Sequence, residues 1–392
     1  IPKDAAIAAT ILASVFATLL MGLLANYPIA VAPGMGLNAF FTYTVVMGFG
    51  LHWTVALGAV FISGIFFFIL TVTKIRTYII DAVPASLRAA IPVGIGLFIA
   101  FIGLQNAGIV QADPSTLLTL GDLSQPGALL AIFGLLLAGV LMAVGVKGAL
   151  IISILGTTVV GMVVGAVPLP QGVGSIISFD LPDISQTFGK LDLKGALAFG
   201  IFNIIFTFTM VELFDNMGTL MGVLRKANLM SDEGHPPELG KAFFADSIGT
   251  MASAVLGTST VTSYVESASG VAEGGKTGLT AVTVAVLFLG ALIFAPLIGL
   301  VPGFATAPAL IIVGALMMSE IVRINFDDFT EAFPAFLTVI GMPLTYSIAT
   351  GLGLGFIGYT LVNLFTGRGK RVHWMMYIIA VLFVINFALR LH

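Results

Sequence analysis

Apolar windows of about 20 residues, the length that crosses a bilayer, follow one another along the chain at 5–26, 52–73, 91–110, 127–145, 148–167, 196–224, 241–256, 278–300 and 304–322. The block 334–366 is long enough for two short spans, with a break expected at Gly351 to Gly355, and a last span lies at 373–390. Two further stretches, 28–48 and 257–272, are equally hydrophobic but are interrupted by Pro, Gly and Thr. They read as broken spans, each with a short extended run and then a short helix. The pieces 74–91 and 325–333 carry mixed charges, which suits helices lying in the headgroup plane. The pattern predicts an all-α polytopic membrane protein with no soluble domain.

Charge placement orients it. Lys74, Arg76 and Arg88, then Lys147, Arg225 and Lys226, Arg323, and finally Arg368, Lys370 and Arg371 fall at alternate ends of the spans. The loops 49–53 and 111–126 carry no Lys or Arg. The positive-inside rule puts the basic set in the cytoplasm. Lys190 and Lys194 fall outside, in the company of Asp180, Asp183 and Asp192. Residue 5 then starts at the outer face. With Ile1 in place of Met and no signal-peptide pattern, the chain is expected to begin part-way into its protein, its first helix absent.

Composition removes other classes. The chain is 58% apolar and 9% charged, against about 25% charge in a soluble domain. Sixteen basic against 19 acidic residues build no phosphate-facing surface, so no nucleic-acid partner is expected. There is no Cys, and His52, His235, His373 and His392 are scattered without ligand spacing. No metal centre and no cofactor are expected.

Against that background three acids stand out. Glu212 and Asp215 lie inside the apolar window 196–224, and Glu266 follows the break in GTSTVTSYVESASG. An acid near the bilayer centre costs about 2.5–3.5 kcal/mol and usually faces a polar cavity. Residues three apart sit about 60° around a helix, so Glu212 and Asp215 can look into one site. Two acids that close are costly to ionise together, so one proton is shared or retained, as a proton-coupled carrier requires. The bland account makes one of them structural, bonded to a nearby Thr or backbone N–H.

Paired interrupted segments in two halves of a chain point to the site of an inverted-repeat transporter. Exposed backbone at mid-membrane is tolerated only around a cavity; close helix packing at the glycines is the bland alternative. Other candidates weigh less. Asp246 is expected to cap or brace a helix start, Glu320 to pair with Arg323 at i,i+3, and Asp232, Glu233 and His235 to sit in a solvated loop. Residues Gly270 to Thr277 fit the phosphate-loop pattern but lack its strand–helix context. Residues Gly353 to Gly358 fit G-x-G-x-x-G and are more simply a packing face.

The stretches ANYPIAVAPGMGLNAFF, VELFDNMGTLMGV, GTSTVTSYVESASGVAEGGKTGLTA and VPGFATAPALIIVGALMM resemble those of the AzgA-like adenine/guanine/hypoxanthine permeases. These are a branch of the xanthine/uracil permease superfamily of nucleobase and ascorbate transporters. The resemblance runs over nearly the whole chain. It implies two inverted seven-helix repeats, divided into a substrate-carrying core (1–73 and 193–300) and a gate (74–192 and 301–366) that mediates a homodimer. Residues 367–392 would form an additional C-terminal helix. It further implies import of purine nucleobases by proton symport, through an elevator-like movement in the cell membrane.

Carried over by motif, Glu266 and Asp215 would hold the base with Asn38, and Glu212 with Asp215 would serve the proton. Gly36 and Thr262, within the same motifs, would also contact the base. Glu212 stands where many relatives have Asp. Thr219 stands where uracil-type relatives have His, which throws coupling onto the carboxylates. The chemistry is compatible: carboxylates meet a purine's N–H donors, Asn38 and backbone N–H groups meet its ring acceptors, and Phe40 or Tyr264 would cover its face. The rival readings are a channel or anion exchanger on the same fold, which three acids disfavour, and an intramembrane enzyme, for which no HExxH or GxSxG motif exists.

Overall fold

The computed structural model describes residues 1–73, 75–170, 172–179, 183–198, 204–229 and 237–390. Lys74, Asp180, Asp232, Glu233, His235 and His392, together with 199–203 of the window 196–224, lie outside the described residues.

The first half begins with α1 (Lys3–Leu20), which runs on through wider turns over Met21–Ala25. A short strand β1 (Val31–Pro33) leads into α2 (Met35–Ala39), continued by a widened helix over Phe40–Gly48. Then come α3 (Trp53–Val72), α4 (Ile75–Ala82), α5 (Ala85–Asn106), the hairpin β2 (Val110–Asp113) and β3 (Leu117–Leu120), α6 (Pro126–Ala143) and α7 (Ala149–Val163). The second half holds α8 (Leu193–Ala198), α9 (Phe206–Lys226), α10 (Leu239–Leu256), β4 (Val261–Ser263), α11 (Ser267–Ala272), α12 (Gly278–Ala291) and α13 (Ala295–Leu300). It closes with α14 (Gly303–Met317), α15 (Phe329–Leu344), α16 (Ile348–Phe365) and α17 (Trp374–Arg390). Among the described residues, seven helices have the length and apolarity of a membrane span.

The two halves are inverted copies, and the packing displays it. Matching α1 to α10, β1–α2 to β4–α11, α3 to α12, α5 to α14, α6 to α15 and α7 to α16, the main helix–helix contacts have counterparts. Helix α3 packs on α10 as α12 packs on α1; α5 packs on α15 as α14 packs on α6. The self-matched pairs α1–α10, α5–α14 and β1–β4 lie at the pseudo-twofold axis.

At that axis β1 and β4 pair antiparallel, Val31 opposite Ser263, Ala32 opposite Thr262 and Pro33 opposite Val261. Both strands are wholly buried. Their backbone is satisfied by each other and by neighbours: Tyr264 N donates to Ala30 O at 2.9 Å, and Thr18 Oγ1 both donates to Val31 O and accepts from Val31 N. Unpaired backbone cannot survive in lipid, so each three-residue strand needs the other.

Several expected boundaries move. The amphipathic piece 74–91 divides at Pro84, and α5 already starts at Ala85. Of 325–333, residues from Phe329 form the first turns of α15, with Asp328 capping them through Thr330 N at 2.9 Å. The hairpin in 334–366 turns at Thr345–Ser347, where Tyr346 takes a left-handed φ of 52°, not at Gly351 to Gly355. Those glycines lie inside α16 because α15 and α17 press against it. A Cβ on Gly355 would enter Thr338 Oγ1, and one on Gly353 would meet Phe383 and Phe387. The loop 111–126 contains the β2–β3 hairpin.

Candidate functional site

Glu266 is the residue just ahead of α11, which follows β4 after a turn. That turn is held by Tyr264, whose hydroxyl donates to Pro33 O across the strand pair at 2.6 Å. On α9, Asp215 Oδ2 accepts from Thr262 Oγ1 of β4 at 3.3 Å. The broken segments and α9 thus converge on a cleft of about 50 Å³ lined by Gly36, Asp215, Thr219, Thr262, Tyr264 and Glu266, with Ile95, Ile99 and Met317 as its apolar wall. A larger cavity of about 350 Å³ shares Asp215, Thr219, Val265 and Met317 with it. That cavity ends among Arg88, Arg225 and Arg323, which the positive-inside rule places at the cytoplasmic face. Its size is that of a small-molecule site. The arrangement offers carboxylate acceptors, a hydroxyl and an apolar wall to a small polar ligand entering from the cytoplasmic mouth.

Not every expected site residue reaches the cleft. Phe40 is fully buried, edge-on to Phe208 at 4.9 Å between centroids. Asn38 Oδ1 accepts from Ser259 Oγ, fastening α2 to the lead-in of β4. Glu212 is fully buried and turned away: Thr250 Oγ1 of α10 donates to its Oε1 at 2.6 Å, and Thr250 in turn meets Thr260 at 3.1 Å. The 60° between Glu212 and Asp215 separates an interior face of α9 from a cavity face.

Behind Glu212 lies a group that pattern reading misplaced. Asp246 does not cap α10; it is wholly buried and paired with Arg76 at 3.4 Å. Arg76 is not a cytoplasmic surface charge but 1% exposed, with its guanidinium 3.7 Å from the Phe243 ring centroid and 4.5 Å from that of Phe67. The signal was there in part, since Asp246 is an acid in an apolar helix. Arg76 was hidden because its neighbours read as an interfacial helix. Elsewhere Glu320 and Arg323 pair at 2.9 Å. Residues Gly270 to Thr277 form the end of α11 and the turn into α12. Among the described residues no cluster suited to a metal ion occurs.

Residues 2–354 match the model of the xanthine/uracil permeases, described as "Permease family". The chain belongs to that family, in its AzgA-like branch. It is 48% identical over 390 residues to the guanine/hypoxanthine permease PbuG of Bacillus subtilis, covering 99% of this chain and 87% of that one. It is 46% identical over 369 residues to the adenine permease AdeQ of Escherichia coli, covering 94% and 82%. In fold it is similar to the transmembrane domain of the cyanobacterial bicarbonate transporter BicA, with a TM-score of 0.60 at 15% identity, covering 90% of this chain and 94% of that one. The murine anion transporter Slc26a9 in its inward-facing state gives a TM-score of 0.58 at 10% identity, covering 93% and 66%. The permease is a multi-pass protein of the cell membrane.

Proposed function

We propose that this permease imports purine nucleobases by proton symport, with Asp215 and Glu266 as the acceptors for the base's N–H groups. The observation that carries the reading is the convergence of these two carboxylates, with Thr262 and Tyr264, on one cleft where both broken segments meet. The activities in the names of its relatives, adenine in one and guanine or hypoxanthine in the other, agree with a flat ligand rich in N–H donors. The backbone around Gly36 supplies the remaining polar wall, and Tyr264 lies beside the plane of the base. Asn38 and Phe40 support the first broken segment from behind. Glu212 serves the proton, away from the ligand.

In this reading residues 1–73 and 193–300 form a moving core, to which α4 stays tied through the buried Arg76–Asp246 pair. The rest of 74–192 with 301–366 forms a gate that also carries a homodimer interface, and 367–392 is an added helix. Movement of the core past the gate carries the cleft from one face to the other. A channel or anion exchanger on the same fold is not favoured, because two carboxylates in the cleft repel an anion. The test is uptake of radiolabelled adenine, guanine and hypoxanthine into proteoliposomes carrying an imposed pH gradient. Accumulation that follows the gradient and collapses with an uncoupler supports symport. Uptake that only equilibrates the base removes it, and uptake of bicarbonate or chloride in place of a base would favour the exchanger.

A further inference from the structure

A second set of charges lies behind the substrate cleft, sealed from it and from water. Glu212 on α9, Asp246 on α10 and Arg76 on α4 are each 0–1% exposed. Arg76 and Asp246 form the one ion pair with both members buried among the described residues. Glu212 lies within electrostatic range of both partners. Hydrogen bonding is incomplete: Glu212 Oε2, Asp246 Oδ1, Arg76 Nε and Nη1, and Asn216 Nδ2 have no partner. A buried charge left unbalanced is very costly. Two carboxylates and one guanidinium sum to one negative charge, and one proton makes that sum zero.

Among the described residues the neighbouring elements supply no other balancing charge, Lys241 at the start of α10 being exposed and paired with Glu238. Helix α3 carries no charged residue, and α1 only Lys3 and Asp4 at its far end. From α9 the next charge is Asp215, and from the β4–α11 turn it is Glu266 with the hydroxyl of Tyr264; all three line the cleft. Arg88 of α5 and Arg225 of α9 are exposed at the cytoplasmic mouth. Within the sealed set the guanidinium stays on Asp246, stacked between two phenylalanine rings, and Glu212 is the acid left over.

We propose that the Arg76–Asp246 pair sets the proton stoichiometry of transport. Arg76 cancels one of the two buried carboxylates, so the set binds one proton, on Glu212 Oε2, and crosses the membrane neutral. The proposal rests on the proton-symport reading above. It adds what that reading leaves open: the number of protons, and the reason that a second acid in the same volume does not bind another.

The test is charge bookkeeping by substitution, read as the steady-state accumulation of base in proteoliposomes at zero membrane potential. One proton per base gives about tenfold accumulation per unit of pH gradient, and none gives no accumulation. Asp246→Asn leaves Glu212 and Arg76, a set that is neutral without a proton, so accumulation should fall from about tenfold to none. The double variant Arg76→Met with Asp246→Asn restores a single negative charge on Glu212, with Met filling the space between the rings. It should regain about tenfold accumulation per pH unit. Coupling retained in Asp246→Asn overturns the proposal. So does a double variant that fails to couple or carries no base, because the pair must then be needed for something other than its charge. A protein with all three native residues that moves base without protons removes the symport reading itself. A coupled native protein beside an uncoupled double variant removes only this inference.

Discussion

Glu266 stands where β4 gives way to α11, the position at which a single side chain meets both the cleft and the start of a helix. A hydrogen bond to a charged acceptor contributes about 1.5–3 kcal/mol. Glu266→Gln keeps the shape but removes the charge and adds donors facing the donors of the base. Purine affinity should drop by roughly 10- to 150-fold, measured by equilibrium binding to purified protein; an unchanged affinity would take Glu266 out of the site. On α9 the two acids should separate in their effects. Asp215→Asn, in the cleft, should damage binding itself. Glu212→Gln, bonded to Thr250 away from the cleft, should abolish accumulation against a gradient while the base still binds. Loss of binding in Glu212→Gln together with intact binding in Asp215→Asn would reverse these roles.

At the scale of elements, close backbone approach holds the helices around the axis. On α5 and α14, Gly96 and Gly314 face each other so closely that a Cβ on Gly314 would enter Gly96 O and lie 2.7 Å from Ala100 Cβ. Gly314→Leu therefore forces the two central helices apart and should destabilise the protein by about 1–3 kcal/mol. Gly290, with nothing near its missing Cβ, should accept Leu with no change in thermal unfolding in detergent. Equal effects of the two substitutions would falsify the packing argument. Helix α15 starts on a different device: Asp328 accepts from Thr330 Oγ1 and N and pairs with Arg368 at 2.6 Å. Those hydrogen bonds, and then the guanidinium, hold its carboxyl below the ordinary value of 3.8. A depressed carboxyl stabilises the fold above its unfolded value and loses that contribution as pH falls through the folded one. The difference in Tm between the native protein and Asp328→Asn should therefore be constant at neutral pH and shrink below 3.8. A difference that persists in acid would show that the pair does not depend on ionisation.

Across the whole molecule, the elevator reading makes a geometric demand. Lys147, after α6, and Glu273, after α11, form an exposed ion pair at 2.7 Å between the two proposed moving parts. Exposed pairs contribute little to stability, so this one is free to break during transport. The chain has no cysteine, and Lys147→Cys with Glu273→Cys introduces the only two. A short dithiol cross-link between them should arrest uptake and leave base binding intact, with reduction restoring transport. Full uptake by the cross-linked protein would mean that core and gate do not slide at this point.

The spans, the two broken segments and the three acids were legible in the sequence because each rests on a local rule. Twenty apolar residues cross a bilayer, Pro33 and the β-branched run around Thr260 to Thr262 disfavour continuous helix locally, and an acid in an apolar window is costly regardless of its neighbours. Tertiary structure alone decided what each of these faces. Asp215 and Glu212 share a helix and an apolar context, and only the placement of β4 and α10 gives one the cleft and the other Thr250. Arg76 reads as a surface charge until Asp246, 170 residues away in the chain, is packed against it. The glycines of α16 read as a break until α15 and α17 cover them. Hydrophobic length and backbone propensity are properties of neighbouring residues. The charge balance and close contacts of the interior depend on distant segments, whose relative placement only the folded chain establishes.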